Sequence, residues 1–222
     1  MIDVIATLDT DVIALQELSR EMGALIDTQL AQAYLYRMLH TVDSGYFGYG
    51  ILSRWPIVDD FSYPREPDRL RLQRAVLDFD GQPITLFNFH AQPINESWRP
   101  PDVWVRRNQV LFLIDEATKM DGPRLLMGDF NLTKPSEDYQ HIVTHFADTF
   151  YEVGFGLGFT GPYWLGLEST GLSRELLQYL PPYQRIDYIF HDSHFEGVSA
   201  QVGLNSGGSD HYPLIAVVTI AD

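Results

Sequence analysis

Short apolar runs that end abruptly at polar residues set the pattern of this chain. Ile2, Ile5, Ala6 and Leu8 repeat at helical spacing up to Asp9-Thr10-Asp11, and Val12-Ile13-Ala14-Leu15 then makes a run of buried-strand length. Residues 24–39 are expected to be helical, and Gly45, Gly48 and Gly50 lie among aromatics before a strand at Ile51-Leu52-Ser53. Alternation over Ala75–Phe79, a turn at Asp80-Gly81 and a return over Ile84–Phe89 predict a hairpin. Val103, Val110, Leu111 and Ile114 predict a helix up to Thr118, started by Asp102 after two prolines. Leu125-Leu126-Met127 reads as a buried strand running into Gly128, with a short helix after Pro135 and final strands at 185–191, 195–204 and 212–220. Strands outnumber helices, which predicts two packed sheets with helices on their outer faces. No repeat, low-complexity tract or clear linker divides the chain, so 1–222 is expected to be a single domain.

Composition narrows the function more than the fold. At 222 residues with 45% hydrophobic and 20% charged residues, the chain can bury a sizeable core. Thirty acidic against fifteen basic side chains give a formal charge of −15, and the only lysines are Lys119 and Lys134. That field repels polyanions at long range, which disfavours a nucleic acid held mainly by phosphate contacts. The absence of cysteine excludes disulfides, thiolate metal sites and a cysteine nucleophile. No apolar stretch reaches membrane-spanning length.

The chemistry is expected where the strands stop. Leu15 leads into Gln16-Glu17, Phe89 into His90, Met127 into Gly128-Asp129-Phe130-Asn131, Ile186 into Asp187, and Gly207-Gly208-Ser209 into Asp210-His211. Strand ends on one edge of a sandwich can converge on a shared cleft. The set is rich in carboxylates and imidazoles and has no serine in a nucleophile turn. It suits a hard cation such as Mg²⁺, which takes oxygen ligands and can neutralise a phosphoryl oxygen while a His or Asp activates water.

Together these segments resemble the endonuclease/exonuclease/phosphatase superfamily of metal-dependent phosphoesterases, which includes DNase I-like nucleases, sphingomyelinases and inositol polyphosphate 5-phosphatases. The resemblance runs from about Ile2 to Ile220 and also takes in Tyr49-Gly50-Ile51-Leu52-Ser53-Arg54-Trp55-Pro56, Asn88-Phe89-His90, Arg185-Ile186-Asp187-Tyr188-Ile189-Phe190 and Ser209-Asp210-His211-Tyr212-Pro213. It implies an α+β, four-layered α/β/β/α sandwich of DNase I-like type and a hydrolase of phosphate esters dependent on Mg²⁺ or Mn²⁺. It implies Glu17 as metal ligand with Asp210 beside the metal, and Asp129 and Asn131 as the pair that orients or deprotonates water and contacts phosphate. His211 stands at the scissile phosphate, oriented by Asp187; His90 assists phosphate binding or the leaving group; Gln16 supports the site. Either His211 or Asp129 can be the base.

Two departures qualify the resemblance. The family's first strand, with its metal- or phosphate-contacting asparagine, has no counterpart upstream of Ile2, so the natural protein starts earlier or something else fills the gap. The glutamate that accompanies the second histidine is also missing near Tyr49, where the chain reads Tyr46-Phe47-Gly48. The stretch after Phe150 looks closest to bacterial members tethered to membranes by upstream segments, which implies a membrane-associated or extracytoplasmic setting.

Other features have plainer readings. His40, His141, His145, His191 and His194 are expected to be structural or exposed, and Arg65, Arg69, Arg71 and Arg74, interrupted by Glu66 and Asp68, to solvate a sheet edge. The glycines and aromatics from Gly154 to Trp164 are expected to form a substrate-shaping loop, with Trp98 and Trp104 bordering the same cleft. A small or lipid-derived phosphoester is the favoured substrate. A nuclease is the alternative, and a catalytically silent binding module is opposed by the intact set of polar strand ends.

Overall fold

Eleven strands and five helices are present among the described residues of the computed structural model, which are 1–45, 47–66, 68–93, 100–161 and 182–221. Six strands make the larger sheet, in the order β4 (Ile57–Ser62), β5 (Leu72–Phe79), β6 (Gln82–His90), β7 (Arg124–Asp129), β9 (Asp187–His191) and β8 (Ala147–Asp148). Its one parallel pair, β6 with β7, needs a crossover, and α3 (Pro100–Thr118) supplies it. Facing it are two smaller sheets. One is β1 (Val12–Gln16), β3 (Tyr49–Ser53) and β2 (Tyr36–His40); the other is the pair β10 (Phe195–Val202) and β11 (Leu214–Ile220).

Three apolar cores hold these layers together. Val110, Leu113, Ile114 and Ala117 of α3 pack on Phe87, Phe89, Leu126 and Phe190 of the large sheet. Phe130 joins them edge-on, with its ring centroid 5.1 Å from both Phe89 and Phe190. Ile51, Ala75, Leu77, Leu86 and Phe195 fill the space between the sheets. On the far side α1 (Ile2–Thr7) and α2 (Arg20–Gln29) cover the three-stranded sheet through Ile5, Ile26 and Leu52. The result is the expected α/β/β/α sandwich, completed by α4 (Glu137–Val143) and the short α5 (Thr149–Val153).

Several local expectations change. Helix α2 begins earlier than residue 24 because Ser19 Oγ accepts the Met22 N–H at 3.2 Å, and it stops at Gln29. Residues 36–40 are strand β2, paired with β3 from Tyr36↔Ser53 to His40↔Tyr49. Leu111 is exposed, since the face of α3 that meets the sheet carries residues 110, 113, 114 and 117. The second sheet is split, because no described strand lies between β1 and β11. Trp98, Tyr46, Tyr163 and Trp164 lie outside the described residues; Trp104 is well exposed on α3. No helix among the described residues is long and apolar enough to cross a membrane.

Two glycines test the backbone logic. At Gly128, φ is +136° and a Cβ would meet the Phe89 carbonyl oxygen at 2.0 Å, where β7 passes close to β6. Gly81 also has positive φ, +89°, but open space around it. Gly128→Ala should therefore lose more than ~2 kcal/mol in denaturant unfolding, and Gly81→Ala about 1 kcal/mol. Equal losses would show that close approach at Gly128 does not matter.

Candidate active site

Strand pairing alone brings three of the expected residues side by side. In the large sheet His90 is in register with Asp129, and Asp129 with Asp187. Because β6 and β7 are parallel and β9 runs against them, the ends of the first two strands and the start of the third share one edge. Glu17 follows β1 directly, and its φ of +57° turns the chain sharply after the strand. The loop before β11 brings in Asp210 and His211.

The contacts tie the set together. His211 Nδ1 lies 2.8 Å from Asp187 Oδ2, and Ser209 Oγ accepts the His211 backbone N–H at 3.1 Å. Asn131, at φ +48°, folds back on Asp129: its backbone N–H donates to Oδ1 at 2.8 Å and its Nδ2 to Oδ2 at 2.9 Å. His90 Nε2 sits 3.6 Å from Asp129 Oδ2 and 3.8 Å from Glu17 Oε1, bridging the two sheets. Gln16 Nε2 donates to Asn88 Oδ1 at 2.7 Å, and Asn88 Nδ2 donates to the Gly50 carbonyl, so Gln16 has the expected supporting place.

Burial and charge set the protonation of this cluster. Burial, then the Asp187 charge, raises Asp129 from the ordinary 3.8 to about 7; His211, the Asn131 N–H and Arg71 oppose the shift. Burial works against a charged His211, but Asp187, Asp129 and Asp210 outweigh it and raise the ring to about 10. His90 is pushed well below its usual value by burial and by the cations Arg71 and His211. Glu17 is raised by burial and by Asp210, against His211 and Arg71.

These residues suit a divalent cation. The ligand atoms of Asp129, Asp187 and His211 lie within 4.8 Å of one another. Glu17 and exposed Asp210, which act on each other electrostatically, offer further oxygen donors, and bound Mg²⁺ would oppose the smaller part of the rise at Glu17 and Asp129 that comes from neighbouring carboxylates, burial being the larger part. Contacts and strand register bring together six of the seven expected residues, and exposed Asp210 acts on Glu17 and His211 through its charge. The tightest convergence, however, is on Asp129, Asp187 and His211 rather than on the expected metal pair.

Arg71 overturns the edge-solvation reading. It is buried, donates to the Ala91 carbonyl at 2.6 Å, and acts electrostatically on Glu17, Asp129 and His90. The same carbonyl accepts from Asn131 Nδ2 at 3.0 Å, which links Arg71 to Asn131 and, through it, to Asp129. Burial lowers the guanidinium to about 10, so it remains a cation at neutral pH. Alternation carried back from β5 separates Arg71, which has the parity of buried Gln73, Ala75 and Leu77, from Arg74, which pairs with Asp59 at 2.5 Å, but not from exposed Arg65 and Arg69. The other residues missed are supports. Thr160 Oγ1 accepts the Asp187 N–H at 3.2 Å, and Arg106 holds the Asn131 carbonyl at 2.6 Å while paired with buried Asp138 at 2.9 Å.

The raised values imply a pH response with a definite sign. Asp129 and His211 both hold protons in the native state that the unfolded chain has lost. Their contribution to stability is therefore present at low pH and falls as pH rises, between 3.8 and about 7 for Asp129 and between 6.5 and about 10 for His211. In chelator, Tm should decline through both windows. Asp187→Asn should remove most of the upper decline, and a variant that keeps it would contradict the His211–Asp187 pairing.

Similarity to known proteins agrees with this geometry. The profile of the Endonuclease/Exonuclease/phosphatase family matches residues 1–211. No curated protein matches the sequence. An endonuclease/exonuclease/phosphatase from Bacteroides vulgatus superposes with a TM-score of 0.74 at 17% identity, over 99% of this chain and 88% of its own. A 3′ phosphatase from Neisseria bound to a product DNA hairpin gives 0.71 at 17% identity, over 98% and 92%. A mannosyl-6-phosphatase from Bacteroides thetaiotaomicron gives 0.69 at 17% identity, over 99% and 89%. These likenesses show the DNase I-like fold, and with the matched profile they show that the chain belongs to the endonuclease/exonuclease/phosphatase family.

Proposed function

We propose that this protein hydrolyses phosphate esters with the help of Mg²⁺ or Mn²⁺, and that its substrate is a small or lipid-derived ester rather than duplex DNA. The observation that carries the reading is the in-register line His90–Asp129–Asp187, with His211 bonded to Asp187 and Glu17 facing His90. Glu17, with Asp210, would hold the cation, which supplies Lewis-acid neutralisation of a phosphoryl oxygen.

The protonation states divide the remaining work. His211, charged at neutral pH, cannot accept a proton; it donates a hydrogen bond to a phosphoryl oxygen, and Asp187 fixes its orientation. Asp129, near 7, is matched to accept a proton from the attacking water, which Asn131 helps to place. A P–O bond forms to water, the ester P–O bond opens, the water proton goes to Asp129, and the departing oxygen takes a proton from solvent. Asp129 is thus the base in this reading. Arg71 adds a fixed positive charge behind the carboxylates, and neutral His90 spaces Glu17 from Asp129.

Charge supports the substrate class. A protein at −15, whose thirteen arginines and two lysines are outnumbered two to one by carboxylates, repels a duplex at long range. The nuclease reading draws on Arg65, whose guanidinium lies 3.9 Å from the Phe47 ring centroid, with Arg71 at 5.9 Å. Two guanidinium groups suit one phosphate better than a long groove.

Turnover of a nitrophenyl phosphate ester should stop after exhaustive chelation and return with Mg²⁺ or Mn²⁺; undiminished turnover would contradict the metal role. His211→Ala should lower kcat at least ~10²-fold, and adding Asp187→Asn should cost little more, because the two act as one unit. Additive losses would separate them. Efficient cleavage of plasmid DNA with a steep inverse salt dependence would favour the nuclease.

A further inference from the structure

Beside the active site lies a cavity that takes no part in the chemistry above. Its volume is about 480 Å³, and it is lined from three segments, 133–135, 150–159 and 183–185, together with Tyr188. Each segment leads into the site within two residues. Thr133 follows Asn131, Arg185 precedes Asp187, and Phe159 adjoins Thr160, whose Oγ1 accepts the Asp187 N–H. Two residues of chain span at most about 7 Å, so the cavity stands about one ester substituent away from the His211–Asp187 pair. Its outer wall is held at both ends. The Gly154 N–H donates to the Phe150 carbonyl at 2.9 Å, the Phe155 N–H to the Ala200 carbonyl at 3.0 Å and the Thr160 N–H to the Gln184 carbonyl at 2.9 Å. A Cβ at Gly154 or Gly158 would strike the Phe150 ring, at 2.7 and 2.4 Å, so these two glycines let the wall fold closely over that ring.

The lining specifies what can enter. Rings dominate it: Phe150 and Tyr188 are buried, Phe159 is half-buried, and Tyr151 and Tyr183 are exposed at the rim. Among the described residues its only aliphatic apolar side chains are those of Pro135 and Leu157. Rings pack best on the faces and edges of other rings, so a flat aromatic group suits this surface better than an acyl chain. Charge adds a second requirement. Among the described residues most arginines and Lys119 are paired with carboxylates, whereas Lys134 pairs with none; its Nζ lies 3.1 Å from the Tyr151 ring centroid. No described carboxylate lines the cavity, and Arg185 is already held by Asp148 at 2.8 and 2.6 Å. In a chain at −15, Lys134 is thus a cation at the mouth of an aromatic cavity with no anion beside it. Resting on the hydrolase reading, we propose that the cavity holds the organic group of the phosphoester substrate, a planar aromatic or heteroaromatic ring that carries an anion of its own. Lys134 pairs with that anion, and the ring packs against Tyr151 and Phe159. The volume is that of a pocket for a small ligand. The substrate class thereby narrows from small or lipid-derived esters to small ring-bearing esters with a second negative group.

The test uses the full chain with Mg²⁺ and 6-hydroxy-2-naphthoate, the alcohol that 6-carboxy-2-naphthyl phosphate would release. The naphthoate should bind saturably and shift the backbone amide resonances of Thr133, Gly156 and Gln184. Lys134→Met should weaken the naphthoate about fivefold and neutral 2-naphthol less than twofold, and Tyr151→Leu should weaken both about fivefold. Both side chains are exposed, and Tm checks that each variant is folded. In turnover, kcat/KM for 6-carboxy-2-naphthyl phosphate should exceed that for phenyl phosphate by about tenfold or more, and Lys134→Met should reduce this ratio. Equal weakening of naphthoate and naphthol by Lys134→Met, or no shift at the three amides, would overturn the proposal. Tighter binding of decanoate than of the naphthoate would also overturn it and assign the cavity to an acyl chain. Binding at the cavity without turnover of either ester would count against the hydrolase reading and leave the ligand class standing. Turnover of phenyl phosphate without binding of the naphthoate would fail the cavity proposal alone.

Discussion

The close passage of β7 beside β6 at Gly128 is the constraint on which the site depends. It sets the register that aligns His90 with Asp129, and the antiparallel partner β9 then adds Asp187. A side chain at 128 would collide with the Phe89 carbonyl and press toward Gln16 Nε2, which lies 3.1 Å from the position of the missing Cβ. One residue without a Cβ therefore allows both the strand pairing and the contact with the Gln16 strand of the opposing sheet. The left-handed turns at Glu17 and Asn131 come where their strands end and aim both side chains into the same space.

The second determinant is charge held under burial. Four carboxylates gather at the site, of which Asp129 is buried, Asp187 part-buried and Glu17 and Asp210 exposed, and they share the space with buried Arg71 and part-buried His211. The consequence is a division between neighbours: His90 is driven neutral, His211 is held charged, and Asp129 is moved close to neutrality. Environments that separate the protonation of adjacent groups are what acid–base chemistry at one centre requires.

Much of this was legible in the sequence because the signals were local. The hairpin at Asp80-Gly81 could be read from turn chemistry, and the site residues from apolar strands that stop at polar ones. What was not legible depended on tertiary packing. Tyr36–His40 has no strong alternation and becomes a strand by pairing with β3. Arg71 resembled its surface neighbours, and its parity does not separate it from Arg65 and Arg69, which are exposed; its burial comes from packing next to β5 and the bond to the Ala91 carbonyl. Arg185 belongs to a recognisable motif, yet its work is structural, since it grips buried Asp148 at 2.8 and 2.6 Å and so anchors the chain just before Asp187. Thr160 carried no signal, because its role appears only when β9 lies beside it.

The central claim is that Asp187 keeps His211 a cation while Asp129 remains the proton acceptor. It is tested most directly by NMR titration of the metal-free protein, following the His211 ring nitrogens and the Asp129 carboxyl carbon. The account predicts a doubly protonated His211 ring up to about pH 10 and an Asp129 carboxyl that titrates near 7. A neutral His211 ring at neutral pH, with Asp129 ionised throughout, would contradict it and make the histidine the base.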